Sequence, residues 1–223
     1  MSINSKRRDF LKVGASGLGV FMLSGGMTKA LADACGLTPA QTSGPFYPGE
    51  DKFHQENDLT QIAGKAQATG QIIYLSGRIL NANCKPVPGV HVEIWQACAT
   101  GKYNNPNDPN PAAIDPNFKY WGETTTSHDG TYRFKSIIPG AYPADTDWMR
   151  PPHIHFKVSA LGYHELITQM YFKGNQYNDA DLILKDVPAN ERESVIVDFV
   201  PTPFAQEPNA LSGVFDITIQ SVR

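Results

Sequence analysis

Two histidines one residue apart, His153 and His155, flank Ile154 at the start of a run in which Ile154, Phe156 and Val158 are apolar. Side chains alternate between faces along an extended strand. If the apolar set faces a core, both imidazoles point the other way, side by side, where one metal ion can take both. A surface or hydrogen-bonded pair is the alternative. The preceding Trp148-Met149-Arg150-Pro151-Pro152 favours a site, because two prolines stiffen the approach and leave little backbone entropy to lose. Tyr142, within Pro139-Gly140-Ala141-Tyr142-Pro143, and Tyr103, within Gly101-Lys102-Tyr103, each follow a strand-like run on a loop. The chain has 9 tyrosines, and the ordinary reading of any one is packing or a hydroxyl hydrogen bond. A phenol with a pKa of about 10 is mostly neutral at pH 7, and only a strongly Lewis-acidic cation makes it a phenolate ligand. Two imidazoles alone suit zinc, copper or iron, whereas hard phenolate oxygens shift the preference toward Fe(III). Arg150 brings a permanent planar charge that can lie against an electron-rich ring, or form a surface ion pair.

The segments that must position these residues read as strands. From about residue 71 the pattern has period two: Ile73-Leu75, Val90-Val92-Ile94, Tyr132-Phe134, Ile154-Phe156-Val158, Leu166 to Phe172, Val195-Val197-Phe199 and Phe215-Ile217-Ile219. Asn81 to Gly89, His128-Asp129-Gly130 and Pro139-Gly140 supply turn chemistry between them. The fold class expected is all-β, an antiparallel β-sandwich with long active-site loops. Leu37 to Gln41 and Asp179 to Lys185 can each form a turn of helix. Two long connections, Ala99 to Gly122 and Ala141 to Pro152, carry Tyr103 and Tyr142, and loops of that length inside a domain are usually functional or disordered.

A chain of 223 residues, 41% hydrophobic and 18% charged, buries one good core, so one domain over 35–223 is expected. A formal net charge of −3 without a basic cluster beyond residues 6–12 gives no footprint for nucleic acid. Three cysteines, Cys35, Cys84 and Cys98, are too few for a disulfide framework and lack zinc-type spacing. Cys84 in a turn and Cys98 past the next strand lie too far apart to bridge. Residues 1–34 read as an address: Lys6-Arg7-Arg8-Asp9-Phe10-Leu11-Lys12 precedes a glycine-loosened apolar run to Met27 and resembles a twin-arginine export signal. That address implies a periplasmic or extracellular protein. Ala30-Leu31-Ala32 and Ala32-Asp33-Ala34 are both cleavage candidates, and Cys35 after the second is a candidate for lipid attachment.

Trp95-Gln96-Ala97 with Gly101-Lys102-Tyr103, Asp129 to Phe134, Pro139 to Pro143, Arg150 to Phe156 and Thr168-Gln169-Met170-Tyr171-Phe172 occur in the order and spacing of the intradiol ring-cleavage dioxygenases. The resemblance covers about Thr38 to Arg223, including the lead-in Thr42-Ser43-Gly44-Pro45-Phe46-Tyr47-Pro48, and is greatest to protocatechuate-type members. It implies a non-haem Fe(III) enzyme that opens a catechol-type ring with dioxygen. Tyr103 and His155 would be equatorial ligands, and Tyr142 and His153 axial ones. Arg150 would stabilise negative charge on the bound ring, Tyr142 would take a substrate proton on leaving the metal, and Gln169 would help form the pocket for oxygen. Tyr47 becomes a pocket residue by analogy with the lead-in. Ala144 stands where protocatechuate-type members carry a pocket tryptophan, so this chain departs from their pattern there. The resemblance also implies an oligomer, either of one chain type or with an α-type partner.

The same residues admit other readings. Gly77 to Val90 resembles carrier and adhesin modules of the same sandwich shape, and a zinc or copper enzyme could use His153 and His155 alone. Neither accounts for both tyrosine contexts. His54, His91, His128 and His164 read as surface or hydrogen-bonded residues, Trp95 and Trp121 as packing, and Glu50 to Asp58 as a solvated loop.

Overall fold

Each period-two run has one apolar face to bury, and the runs satisfy that need by stacking two sheets. The computed structural model describes residues 35–49, 56–202, 207 and 209–222; the export segment 1–34, His54 and the acidic residues Glu50 and Asp51 lie outside the described residues. The strands are β1 (Ile72–Asn81), β2 (His91–Trp95), β3 (Trp121–Thr125), β4 (Thr131–Ile137), β5 (Tyr142–Asp145), β6 (Trp148–Arg150), β7 (His153–Ser159), β8 (Leu166–Phe172), β9 (Ile196–Val197), β10 (Val200–Pro201), β11 (Leu211–Val214) and β12 (Ile217–Ile219). One short helix, α1 (Leu182–Asp186), lies between β8 and β9.

One five-stranded sheet is centred on β1, with β4 along one edge and β11 followed by β12 along the other; β10 extends it beyond β11. The second runs β3-β2-β7-β8-β9, and β5 pairs with β6 as a separate hairpin. Ile73, Leu75 and Phe134 from one sheet meet Ile94, Ile154, Phe156 and Met170 from the other in a buried apolar core. Buried Gln96 ties the layers together, donating to the Ile137 carbonyl at 3.0 Å and accepting from Ser136 Oγ at 2.7 Å.

Three expectations need correction. The sheets are mixed: β1–β11, β1–β12 and β8–β9 are parallel pairs. Each joins strands separated by a long crossover, so no hairpin forces an antiparallel return. The connection from Ala141 to Pro152 folds as the β5–β6 hairpin, and α1 forms where a helical turn was expected while Leu37 to Gln41 has none. The third concerns the cysteines. Cys98 is free and buried, as its distance from Cys84 requires, but Cys84 is bonded to Cys35, 49 residues upstream, with a Cα–Cα separation of 5.4 Å. Cys84 sits in the left-handed conformation at φ 59, in a turn beside the incoming chain. The Cys35 sulfur is engaged in that bond and is not the free thiol that lipid attachment needs.

At its start β7 is buried on both faces. Ile154 and Phe156 face the sandwich, while His153 and His155, each 2% exposed, lie under other segments. Those segments build the site.

Candidate metal centre

The alternation of β7 turns His153 and His155 to one side, with ring centroids 4.9 Å apart. Tyr142 opens β5, and its ring lies 5.7 Å from that of His153. Tyr103 meets Tyr142 edge-on at 5.7 Å. The two tyrosine loops come together because glycines let their backbones touch. A Cβ on Gly140 would fall 2.4 Å from Gly101 N, and one on Gly101 would fall 2.5 Å from the Ala141 carbonyl oxygen. The Tyr103 loop is further shaped by Asp108, whose Oδ2 accepts from Tyr103 N at 2.7 Å, and by Lys102, which donates to the Asp108 carbonyl at 2.6 Å.

The pocket holds these donors in neutral form. Burial, then the Arg150 charge and His155, hold His153 well below the ordinary imidazole range, and burial with Arg150 pushes His155 down to about 3. Burial raises both tyrosines; the neighbouring Tyr142 adds to the rise at Tyr103, and Arg150 opposes it at both. His153 Nδ1 lies 2.7 Å from the Pro151 carbonyl oxygen. The carbonyl can only accept, so Nδ1 carries the proton and Nε2 keeps its lone pair. That Nε2, the Tyr103 hydroxyl and His155 Nδ1 are buried without a hydrogen-bond partner. Buried polar atoms are ordinarily satisfied, and a cation accepting lone pairs from these donors satisfies them while reversing the pressure that keeps the phenols protonated. Among the described residues no group of three or more His, Cys, Asp or Glu is placed to hold a metal. A metal here must use the phenols.

Arg150 ends β6 opposite Tyr142 and is 3% exposed. Its Nε donates to Asp181 Oδ2 at 2.7 Å, and its Nη2 donates to Gln169 Oε1 at 2.6 Å and, at 3.5 Å, to the Tyr171 hydroxyl. Burial opposes its charge, but Tyr142 and Asp181 outweigh that and raise its pKa. Asp181 also caps α1, accepting from Leu184 N at 2.8 Å. The lead-in forms the opposite wall. Gln169 Nε2 donates to the Thr42 carbonyl at 2.8 Å, Gln41 Nε2 donates to the Gln169 carbonyl at 2.9 Å, and the Tyr171 hydroxyl donates to Gln41 Oε1 at 2.9 Å. A Cβ on Gly44 would lie 3.4 Å from His155 Cε1, so the arm passes close over that imidazole.

The structure brings Tyr103, Tyr142, His153, His155, Arg150 and Gln169 together. Tyr47 borders the set through its ring, edge-on to Trp95 at 4.8 Å, while its hydroxyl donates to Glu93 Oε2 at 2.9 Å. Ala144 is exposed at the bulge of the hairpin and does not join the buried set. Asp181 and Tyr171 were not singled out from sequence. The Asp181-Leu182 boundary was readable as a helix cap, but nothing local marks an ion pair 31 residues away in the chain. Trp95, read as packing, stacks on His155 with centroids 4.8 Å apart and planes 5° from parallel. A cleft of about 550 Å³ bordered by Phe46, Tyr47, Trp95, Asn104 and Trp121 reaches Tyr103 from outside. His91, as expected, is hydrogen-bonded, to Glu123 at 2.7 Å.

A family model described as Dioxygenase matches residues 42–220. The chain is similar to the protocatechuate 3,4-dioxygenase beta chain of Burkholderia cepacia, 38% identical over 181 residues, covering 79% of this chain and 76% of that one. It is also similar to 6-chlorohydroxyquinol 1,2-dioxygenase of Cupriavidus pinatubonensis, 29% identical over 88% of this chain and 70% of the relative. Among solved structures, the dioxygenase domain of a dioxygenase and carbohydrate-binding fusion from Streptomyces sp. SirexAA-E superposes with a TM-score of 0.63 at 25% identity, covering 83% of this chain and 99% of that one. The match takes in both tyrosine loops, the hairpin and the His-x-His strand, and on that extent the protein belongs to the intradiol ring-cleavage dioxygenases, a family of oxidoreductases.

Proposed function

We propose that this protein is a non-haem ferric dioxygenase that opens a catechol-type ring between its two hydroxyl-bearing carbons with dioxygen, giving a cis,cis-muconate-type diacid. The observation that carries the reading is the meeting of two neutral imidazoles and two phenols in one buried pocket, with His153 Nε2 and the Tyr103 hydroxyl unpartnered. Tyr103, Tyr142, His153 and His155 would hold the iron. When bound, ferric iron supplies the Lewis acidity that removes protons from phenols and from the substrate diol at neutral pH.

The remaining roles belong to the chain. Tyr142 is the ligand candidate paired across the hairpin with Arg150, and its oxygen is suited to take a proton from the diol. Arg150 cannot be deprotonated at working pH, and its charge favours an anionic ring nearby. Asp181 and Gln169 fix the guanidinium plane from two sides. Gln169 also joins Arg150 to the arm, so substrate charge and the arm wall are held in one register. Gln169 shapes the space that receives dioxygen, and Tyr47 contributes to the outer pocket.

The visible spectrum of the purified protein, with iron quantified, before and after anaerobic catechol, tests the reading. A broad tyrosinate-to-iron band that moves to longer wavelength with catechol is the expected result. A protein still colourless after iron loading overturns it.

We further propose export by a twin-arginine route to the periplasm or beyond, and an oligomeric assembly. The Cys35–Cys84 bridge supports the first, since such bonds persist in oxidising compartments. Changing Arg7 and Arg8 together to Lys should retain a reporter fusion in the cytoplasm, and unchanged export would count against the route.

A further inference from the structure

The cleft that reaches Tyr103 is bordered on its outer side by a strained turn for which the mechanism above has no use. Tyr120 lies in the left-handed region at φ 62, and Trp121 N donates to the Lys119 carbonyl at 2.7 Å across it. A hydrogen bond between residues two apart around a positive φ makes a γ-turn, and strain of this kind clusters at active sites and ligand clamps. The turn places Lys119, Tyr120 and Trp121 in the lining of two adjoining cavities, the cleft of about 550 Å³ and a second of about 540 Å³. Asn104 lines both as well. Trp121 adds aromatic surface at this junction and is anchored there, since its Nε1 donates to the buried Glu93 at 3.1 Å. Asn104 and Asn107 are exposed, and neither side-chain amide bonds to another described residue. Charges in the second cavity come in both signs, Lys65 and Lys119 against Glu56 and Asp115, and Lys119 is paired with Glu56.

We propose that these two cavities form a subsite for a neutral, hydroxyl-rich ring, a glycosyl unit, with Trp121 as its stacking surface and Asn104 and Asn107 as its hydrogen-bonding groups. A sugar ring has apolar C–H faces and a rim of hydroxyls that both donate and accept. A fixed aromatic suits the first, and primary amides, which carry donors and an acceptor on one group, suit the second. Balanced charge in the lining favours a neutral ligand over an ionic one. Cavities of several hundred Å³ enclose ligands of more than one ring. The glycosyl unit belongs either to the aromatic substrate, as a ring substituent, or to a polymer on which the enzyme works, and the chemistry that recognises it is the same. The subsite goes beyond the ring-cleavage reading and does not depend on a metal.

Titration calorimetry of the full chain with cellotriose, trigalacturonate and benzyl alcohol, for the wild type and the double variant Asn104→Ala/Asn107→Ala, tests the subsite. The expected result is that cellotriose binds the wild type more tightly than either other probe and that the double variant weakens it on the order of tenfold. Absence of cellotriose binding overturns the proposal, as does a variant that binds it like the wild type. Trigalacturonate as the tightest probe overturns it in favour of an anion site, and benzyl alcohol binding as well as cellotriose overturns it in favour of an apolar one. Oxygen uptake by the iron-loaded chain then separates the two sources. A KM for 4-glucosyloxycatechol about tenfold below that for 4-methoxycatechol, with the advantage lost in the double variant, assigns the glycosyl unit to the substrate. Equal KM values alongside cellotriose binding assign it to a polymer. A chain that binds cellotriose but shows no tyrosinate colour fails the ferric reading and keeps the subsite, so the two can fail separately.

Discussion

The histidine face of β7 is walled on one side by the β5–β6 hairpin and on the other by the arm from Gln41 to Tyr47, and the two walls are held by different forces. The hairpin presents Tyr142 and Arg150 and depends on a buried ion pair with Asp181, which is wholly enclosed. The arm is held by neutral hydrogen bonds from Gln41 and Gln169, by Phe46 packed on Tyr103 at 4.8 Å, and by the disulfide at its root. Charge is placed where a substrate anion would form, and uncharged contacts fix the opposite side without competing for it. Disturbing the hairpin should therefore damage stability and chemistry together, whereas disturbing the arm should separate them.

The largest effect is expected from Asp181→Asn, which keeps a cap for α1 and removes only the charge. It leaves the Arg150 guanidinium buried without a counter-ion, a change worth roughly 3 kcal/mol or more. Urea unfolding gives the stability, and iron content and turnover should fall with it. A loss below about 1 kcal/mol would mean that the guanidinium finds water on its own and that the hairpin is not held by charge.

The disulfide sharpens the contrast from the arm side. Replacing Cys35 and Cys84 together by Ser opens a loop spanning 49 residues, which by chain entropy costs about 2–4 kcal/mol. Gln41 and Thr38, whose N donates to the Thr218 carbonyl at 3.1 Å, still anchor the arm, so the iron-dependent band should persist. Bleaching of that band would show that the root of the arm controls the ligands, and the distinction between the walls would fail.

The two walls were also unequally legible in the sequence. Tyr142, Arg150 and the histidines sit in a stretch of local pattern: alternation places the imidazoles, and the prolines mark a fixed approach. The sandwich was legible for the same reason, since each long strand carries its own period-two signal. What sequence missed depends on distant partners. β5 and β6 are short and half polar, so a twelve-residue connection hid a hairpin. Asp181 and Tyr171 acquire their roles only when β8 and α1 fold against β6. Cys35 follows a run that resembles a processing signal, and its bonding partner Cys84 lies in a turn whose left-handed conformation only the folded chain reveals. Trp95 offers large apolar area wherever it falls, and that it would stack on a ligand candidate is a fact of packing.

Acid should act on the histidine face between the two walls. In the metal-free protein His155 has its pKa depressed to about 3 by burial and Arg150, so the unfolded chain, with an ordinary imidazole near 6.5, binds the proton more readily. Stability is then complete above about pH 6.5 and is lost as pH falls toward 3, by about 2 kcal/mol at pH 5 from this residue. Unfolding free energy against pH for the metal-free wild type and His155→Gln measures it. Parallel curves would remove His155 as the cause.

The smallest effect concerns the outer end of the arm. Tyr47→Phe removes the hydroxyl that donates to Glu93 but keeps the ring against Trp95, and through Trp95 the support of His155. Glu93 is not stranded by the change, because Trp121 Nε1 still donates to it at 3.1 Å and Lys157 lies 3.7 Å away. About 1 kcal/mol of stability should be lost, with KM for catechol unchanged. The variant separates two ways in which Tyr47 could serve the pocket. If the ring is what matters, as its contact with Trp95 indicates, Tyr47→Phe leaves KM and iron retention unchanged and Tyr47→Ala weakens iron retention by loosening the Trp95 stack. If instead the hydroxyl reaches substrate, Tyr47→Phe raises KM for ring-substituted catechols at almost no cost in stability, and the arm would be contributing recognition chemistry of the kind assigned here to the hairpin alone.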